Sequence, residues 1–163
     1  MLQREDMQRA LVNDKGEFVL PFAEDAWVLA GDEDWVIAQQ DGRQTMKNTQ
    51  GETLFTFSGS ISDYSPEVGL FSLWQDDKNG FVDATGKEVV PLVYDEVEGF
   101  SEGLAAVRVG DKWGYVNAQG EVVIAPQFSG NMEVDSKIGG FYQGSALVFA
   151  DGNPAAKLMF VGE

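Results

Sequence analysis

The 163-residue chain contains no cysteine and no histidine. The first absence excludes disulfides, thiolate zinc sites and cysteine nucleophiles. The second excludes the Ser-His-Asp relay and histidine as a general base. Any chemistry would have to rest on carboxylates, lysine, tyrosine or a metal held by oxygen. Basic residues are scarce: 11 Lys and Arg stand against 27 Asp and Glu, for a net charge of −16. None of the basic residues form a run. Nucleic acids and anionic membrane surfaces are bound through clustered Lys and Arg, so neither is an expected partner. No apolar run approaches the roughly 18 residues of a membrane span. Met1-Leu2-Gln3-Arg4-Glu5-Asp6 lacks the basic start and apolar stretch of a signal peptide. The expectation is a cytoplasmic protein.

What the chain does have is an internal repeat. Asn13-Asp14-Lys15-Gly16-Glu17, Asn48-Thr49-Gln50-Gly51-Glu52, Asp83-Ala84-Thr85-Gly86-Lys87 and Asn117-Ala118-Gln119-Gly120-Glu121 line up, with glycine spacings of 35, 35 and 34. A fixed period of that size means stacked or radially arranged units, each too small to bury a core alone. Apolar residues make up 44% of the chain, enough for a shared core.

The clearest unit contains three β-rich runs: Leu104 to Val109, Lys112 to Asn117 and Glu121 to Ile124. Gly110-Asp111 between the first two is a two-residue hairpin turn, and Ala118-Gln119-Gly120 suits a three-residue loop ending in positive φ. Pro126 marks a strand end or an edge. The same first turn recurs at Asp41-Gly42, Asp76-Asp77 and Asp151-Gly152. The expected fold is therefore all-β, with about four repeats of some 35 residues and three antiparallel strands each. An irregular return loop such as Gln127 to Tyr142 joins one repeat to the next. The repeats run approximately over 9–43, 44–78, 79–112 and 113–156, in one domain covering 1–163, with a terminal strand at 157–161. A surplus strand suits an open stack, which it caps. A closed small propeller or barrel is the alternative. Leu2, Met7 and Ala10 sit at helical spacing, so Leu2 to Ala10 is read as a short helix.

Phe100-Ser101-Glu102-Gly103-Leu104-Ala105-Ala106-Val107, followed by Gly110-Asp111-Lys112-Trp113-Gly114-Tyr115-Val116-Asn117, resembles the WG-repeat family, also called KWG repeats. So does Asn79-Gly80-Phe81-Val82-Asp83 with the segment after it, and the resemblance is clearest over 78–128. Trp113-Gly114 keeps the motif intact, Asn79-Gly80 keeps half of it, and Arg9-Ala10 and Gln44-Thr45 replace it in the first two units. The resemblance implies a bacterial β-repeat protein without shared catalytic residues. No catalytic residue, cofactor or metal site is expected, and the chain is not expected to be an enzyme. Trp113 reads as a layer-filling side chain, and Gly114 as room for a bulge or a neighbouring backbone.

Two surface stripes are candidate binding residues. The turn carboxylates Asp41, Asp76, Asp77, Asp111 and Asp151 line up along one edge when the units are superposed. Aspartate is also simply a good turn residue. Gln39, Trp74, Arg108 and about Phe149 fall in one column of the first strand, and Trp and Arg are favoured binding anchors. The competing reading has Trp74 and Phe149 under the return loops. The carboxylate clusters Asp32-Glu33-Asp34, Asp76-Asp77 and Asp95-Glu96-Glu98 do not follow the calcium-loop pattern. The expected function is a protein-binding or scaffold module whose partner is a protein, a basic one in the sharper reading of the charge. A specific version is an acidic inhibitor or immunity-type protein. The alternative is a carbohydrate-binding module or a hydrolase built on paired carboxylates.

Overall fold

The computed structural model describes residues 2–3, 9–23, 25–28, 35–40, 43–129, 140–149 and 156–160. Four antiparallel sheets follow one another along the chain. The first holds β1 (Leu2–Gln3), β2 (Arg9–Val12) and β3 (Phe18–Ala23). The second holds β4 (Asp25–Val28), β5 (Trp35–Gln40), β6 (Arg43–Asn48) and β7 (Thr53–Phe57). The third holds β8 (Ser60–Ser65), β9 (Leu70–Gln75), β10 (Lys78–Asp83) and β11 (Glu88–Tyr94). The last holds β12 (Glu96–Val97), β13 (Leu104–Val109), β14 (Lys112–Asn117), β15 (Val122–Ser129), β16 (Ser145–Phe149) and β17 (Ala156–Phe160). The protein is an all-β, open array of repeats, and among the described residues no sheet closes into a barrel.

Two local expectations are corrected. The segment read as a helix is a strand at each end: Leu2 pairs with Ala10 and Gln3 with Arg9. Cross-strand pairing overrides a weak helical spacing that offers no cap. The connection read as an irregular loop contributes a fourth strand, β4, β8 or β12, to the edge of the sheet that follows.

The third sheet buries both faces against its neighbours, because each strand alternates its side chains between two layers. In β9, Phe71 and Leu73 join Ile37, Met46, Phe55 and Phe57 of the second sheet. Trp35 meets Tyr64 and Phe71 edge-on there, with centroids 5.3 and 5.2 Å apart. Leu70, on the other face, joins Phe81, Val90 and Tyr94 against Ala105, Val107 and Val116 of the last sheet. Ala106, Trp113 and Tyr115 then face Phe141, Ala146 and Val148. This last contact is possible because β15 and β16 share a single pair, Ser129–Phe149, so the final hairpin folds over β13 and β14.

Glycine and proline set the shape of the third strand in each unit. Across from Gly114 the pairing jumps from Phe128 to Ile124, and across from Gly80 it jumps from Tyr94 to Val90. The bulged backbone presses in so closely that a Cβ on Gly114 would lie 2.3 Å from the Ile124 oxygen, and one on Gly80 2.5 Å from that of Val90. Pro91 and Pro126 sit inside these bulges, where the missing N–H is harmless. In the second sheet Thr45 replaces the glycine, β7 has no proline, and the ladder opposite Thr45 is regular.

Polar links join the third sheet to the last and the last sheet to its final hairpin. Ser65 Oγ accepts from Phe100 N at 3.2 Å, and Ser101 Oγ donates to the Phe141 carbonyl. Glu67 accepts from Gly103 N at 2.9 Å, while the two oxygens of Glu102 accept from Gln143 N and Gly144 N at 2.5 and 2.7 Å.

Candidate functional site

The two-residue turns fall at one end of the sheets. Asp76 and Asp77, between β9 and β10, both have left-handed backbones, with φ of 51° and 62°. This is the signature of a type I′ hairpin turn, which glycine and asparagine favour. Gly110, with φ of 63°, opens the equivalent turn before Asp111. Asp95, between β11 and β12, ties the two turns together. Its carboxylate receives Lys78 Nζ at 2.5 Å and Gly110 N at 2.7 Å. Its backbone N–H donates to Arg108 O at 2.9 Å, and its carbonyl accepts from Asn79 Nδ2 at 3.1 Å. The tips of successive hairpins are thereby held side by side.

Asp76, Asp77 and Asp111 are all exposed. Among the described residues the only ion pairs are Lys78–Asp95 and Arg108–Glu96, so none of the three carboxylates is neutralised by a cation. Asp41 and Asp151 lie outside the described residues.

Trp74 and Arg108 occupy matching positions, opposite Asn79 and Trp113. Trp74 is 46% exposed and leads directly into the Asp76-Asp77 turn. Val109, 48% exposed, stands before Gly110-Asp111. Arg108 is engaged internally: Nε donates to Glu96 at 3.2 Å, and a terminal nitrogen donates to the Gly110 carbonyl at 2.6 Å. It braces its own hairpin. Trp113 is fully buried, and Gly114 faces the bulge. Of Phe149 only the backbone pairing is described.

The hydrogen bond from Lys78, reinforced by the Gly110 N–H, holds the Asp95 carboxyl below the usual carboxylate range. A lowered folded value stabilises the native state above the unfolded pKa, about 3.9, and that contribution fades as pH falls through the folded value. Asp95→Asn is therefore expected to lower the thermal midpoint at neutral pH. The gap to the unmutated chain should shrink below about pH 4. A gap that stays constant down to strong acid would show that the carboxylate charge plays no part. The Thr85 hydroxyl lowers Asp83 in the same direction. Burial raises the Tyr94 phenol and pushes that of Tyr115 far above its usual range.

A cleft of about 600 Å³ opens between the second and third sheets. Arg43, Asp76 and Lys78 line it near the hairpin tips, and Thr56, Phe57 and Ser58 form one wall. Val82, Gly86, Glu88 and Leu92 line it further along. Arg43, Ser58, Lys78, Glu88 and Asp95 were not among the residues expected to form a site. The available signal is positional: a cation opens the second strand at Arg43, Lys78 and Lys112, and the Asp95 that pairs with Lys78 lies just past the end of the hydrophobic third strand β11. No group of three or more acidic residues is placed to hold a metal among the described residues. That covers Asp76-Asp77 and Asp95-Glu96-Glu98, whereas Asp32-Glu33-Asp34 lies outside them.

The chain is a β-repeat module, and the model of the WG-containing repeat family matches its residues 80–113 and 113–153. No curated protein matches the sequence. A solved structure described as the "Crystal structure of the eukaryotic initiation factor" is similar over 83% of this chain and 39% of that one, at 15% identity and a TM-score of 0.49. The chain thus spans well under two thirds of that protein's length.

Proposed function

We propose that this repeat module binds a basic protein along its hairpin-tip edge, without a catalytic role. The carrying observation is the row of unneutralised carboxylates, Asp76, Asp77 and Asp111, beside the half-exposed Trp74 and Val109. An apolar anchor ringed by charge is the composition of a protein-binding hot spot. The net charge of −16 adds long-range attraction for a basic partner. The turn backbone supports the same reading. Asp76 and Asp77 hold two adjacent like charges in left-handed conformations, where Asn-Gly would be less strained. An inhibitor that masks a basic protein surface is the most specific form of this proposal.

The test is a pull-down from lysate of the cells that encode the protein, washed at low and high salt, with affinity then measured for the captured partner. The expected result is a stoichiometric partner released by salt. Its affinity should fall about tenfold or more in Asp76→Lys/Asp77→Lys/Asp111→Lys and in Trp74→Ala. Unchanged affinity in both variants would sink the proposal.

A further inference from the structure

The cation that opens the second strand has a partner in the β9–β10 and β13–β14 hairpins and no ion-pair partner among the described residues in the β5–β6 hairpin. Lys78 Nζ bonds Asp95, and Lys112 Nζ donates to Ser129 Oγ at 3.3 Å. Asp95 and Ser129 each follow the residue paired across from the next position, since Tyr94 pairs with Asn79 and Phe128 with Trp113. The corresponding pair in the second sheet is Gln44–Phe57. The place of Asp95 is therefore taken by Ser58 and Gly59. The backbone match holds here as well: Gln44 Nε2 donates to the Gly59 carbonyl as Asn79 Nδ2 does to that of Asp95. The carboxylate alone is missing. Arg43, exposed, has no ion-pair partner among the described residues. The cleft of about 600 Å³ lies at this place, with Arg43 and Ser58 in its lining.

We propose that this cleft binds a ligand carboxylate, which takes the place beside Arg43 that the Asp95 side chain fills beside Lys78 one repeat later. A guanidinium grips a carboxylate with two parallel hydrogen bonds, a stronger arrangement than the single ammonium contact of Lys78. The opposite end of the cleft sets the rest of the ligand. Val82 pairs with Glu88, four residues along β10 from Lys78, which places Glu88 about 13 Å from the cationic end. Thr56, Ser58 and Gln75 offer hydrogen bonds between, and Phe57, Leu73 and Leu92 an apolar floor. The ligand class is an extended molecule with a carboxylate at one end and a polar or cationic group at the other. A small acid and the C-terminus of a peptide share that carboxylate chemistry.

The experiment is an NMR titration that follows the Arg43 side-chain Nε–H and the backbone amides of Gln75 and Gly86. The probes are sodium acetate, a free-acid tetra-alanine and the same peptide as its amide, with sodium chloride holding ionic strength constant. Saturable shifts with acetate are expected, and Arg43→Gln should weaken binding about tenfold or more. Arg43→Lys should keep part of the affinity. Ser58→Asp, which supplies the missing carboxylate from within, should abolish binding and leave the protein folded. Tighter binding of the free-acid peptide than of acetate would assign the site to chain ends. Equal binding would assign it to small acids. Shifts that do not saturate, match those with chloride or amide, or persist in Arg43→Gln would overturn the proposal.

Discussion

Trp113→Ala is expected to lower folding stability by about 3–5 kcal/mol. The indole is fully buried among Tyr115, Phe141, Ala146 and Val148. Its removal leaves a cavity between β13–β14 and the final hairpin. A domain of this size has about 5–15 kcal/mol in total, so the loss is a large share. It is also local, because each sheet meets only its neighbours. Chemical denaturation should show the full decrease. Hydrogen exchange should show β16 amides losing protection while those of β9 and β10 keep theirs. A decrease under about 1 kcal/mol would mean that the face can repack, contrary to the burial described.

The second large effect concerns two glycines with the same backbone. Gly16 and Gly120 have φ of 79° and 84° in equivalent turns. A Cβ on Gly16 would meet nothing within 4 Å, whereas one on Gly120 would lie 2.2 Å from the Val89 carbonyl oxygen of the preceding sheet. Gly16→Ala therefore reports the left-handed backbone alone, about 1 kcal/mol. Gly120→Ala adds a clash with backbone that cannot swing aside, for a total of about 3 kcal/mol or more. Thermal unfolding of the two variants side by side tests this. Equal effects would show that the contact with Val89 carries no weight. Gly51, 2.8 Å from Val19 O by the same measure, makes the corresponding contact two repeats earlier. The period of 35 residues is thus held by one sheet's turn lying against the third strand of the sheet before it.

Much of this architecture was legible in the chain. The turn glycines, the Gly-Asp hairpin and the alternation of Ala105 and Val107 against Leu104 and Ala106 are short-range signals, and strands obey them. What escaped depends on partners distant in sequence. β8 reads Ser-Ile-Ser-Asp-Tyr-Ser, polar and broken by a register shift between Ile61 and Asp63, so its alternation is lost. β12 is two residues long. The pairing of Leu2 with Ala10 is a tertiary event that no local spacing announces. At the candidate site, the turn aspartates and Trp74 were visible as a pattern. The internal engagement of Arg108 was not, because Glu96 meets it only across a strand pair. The Lys78–Asp95 pair and the vacancy beside Arg43 emerge only when cross-strand registers are compared.

The links between neighbouring units have a lopsided chemistry. Glu67, Glu102, Ser65 and Ser101 each reach from their own unit to a main-chain group of the next, at Gly103, Gln143, Gly144, Phe100 and Phe141. The receiving unit contributes only peptide groups, which every sequence possesses. A unit copied by gene duplication therefore arrives with its own outgoing connectors and needs no matching side chain to accept those of its new neighbour. Such a joint lets arrays lengthen or shorten by whole units while side chains elsewhere diverge.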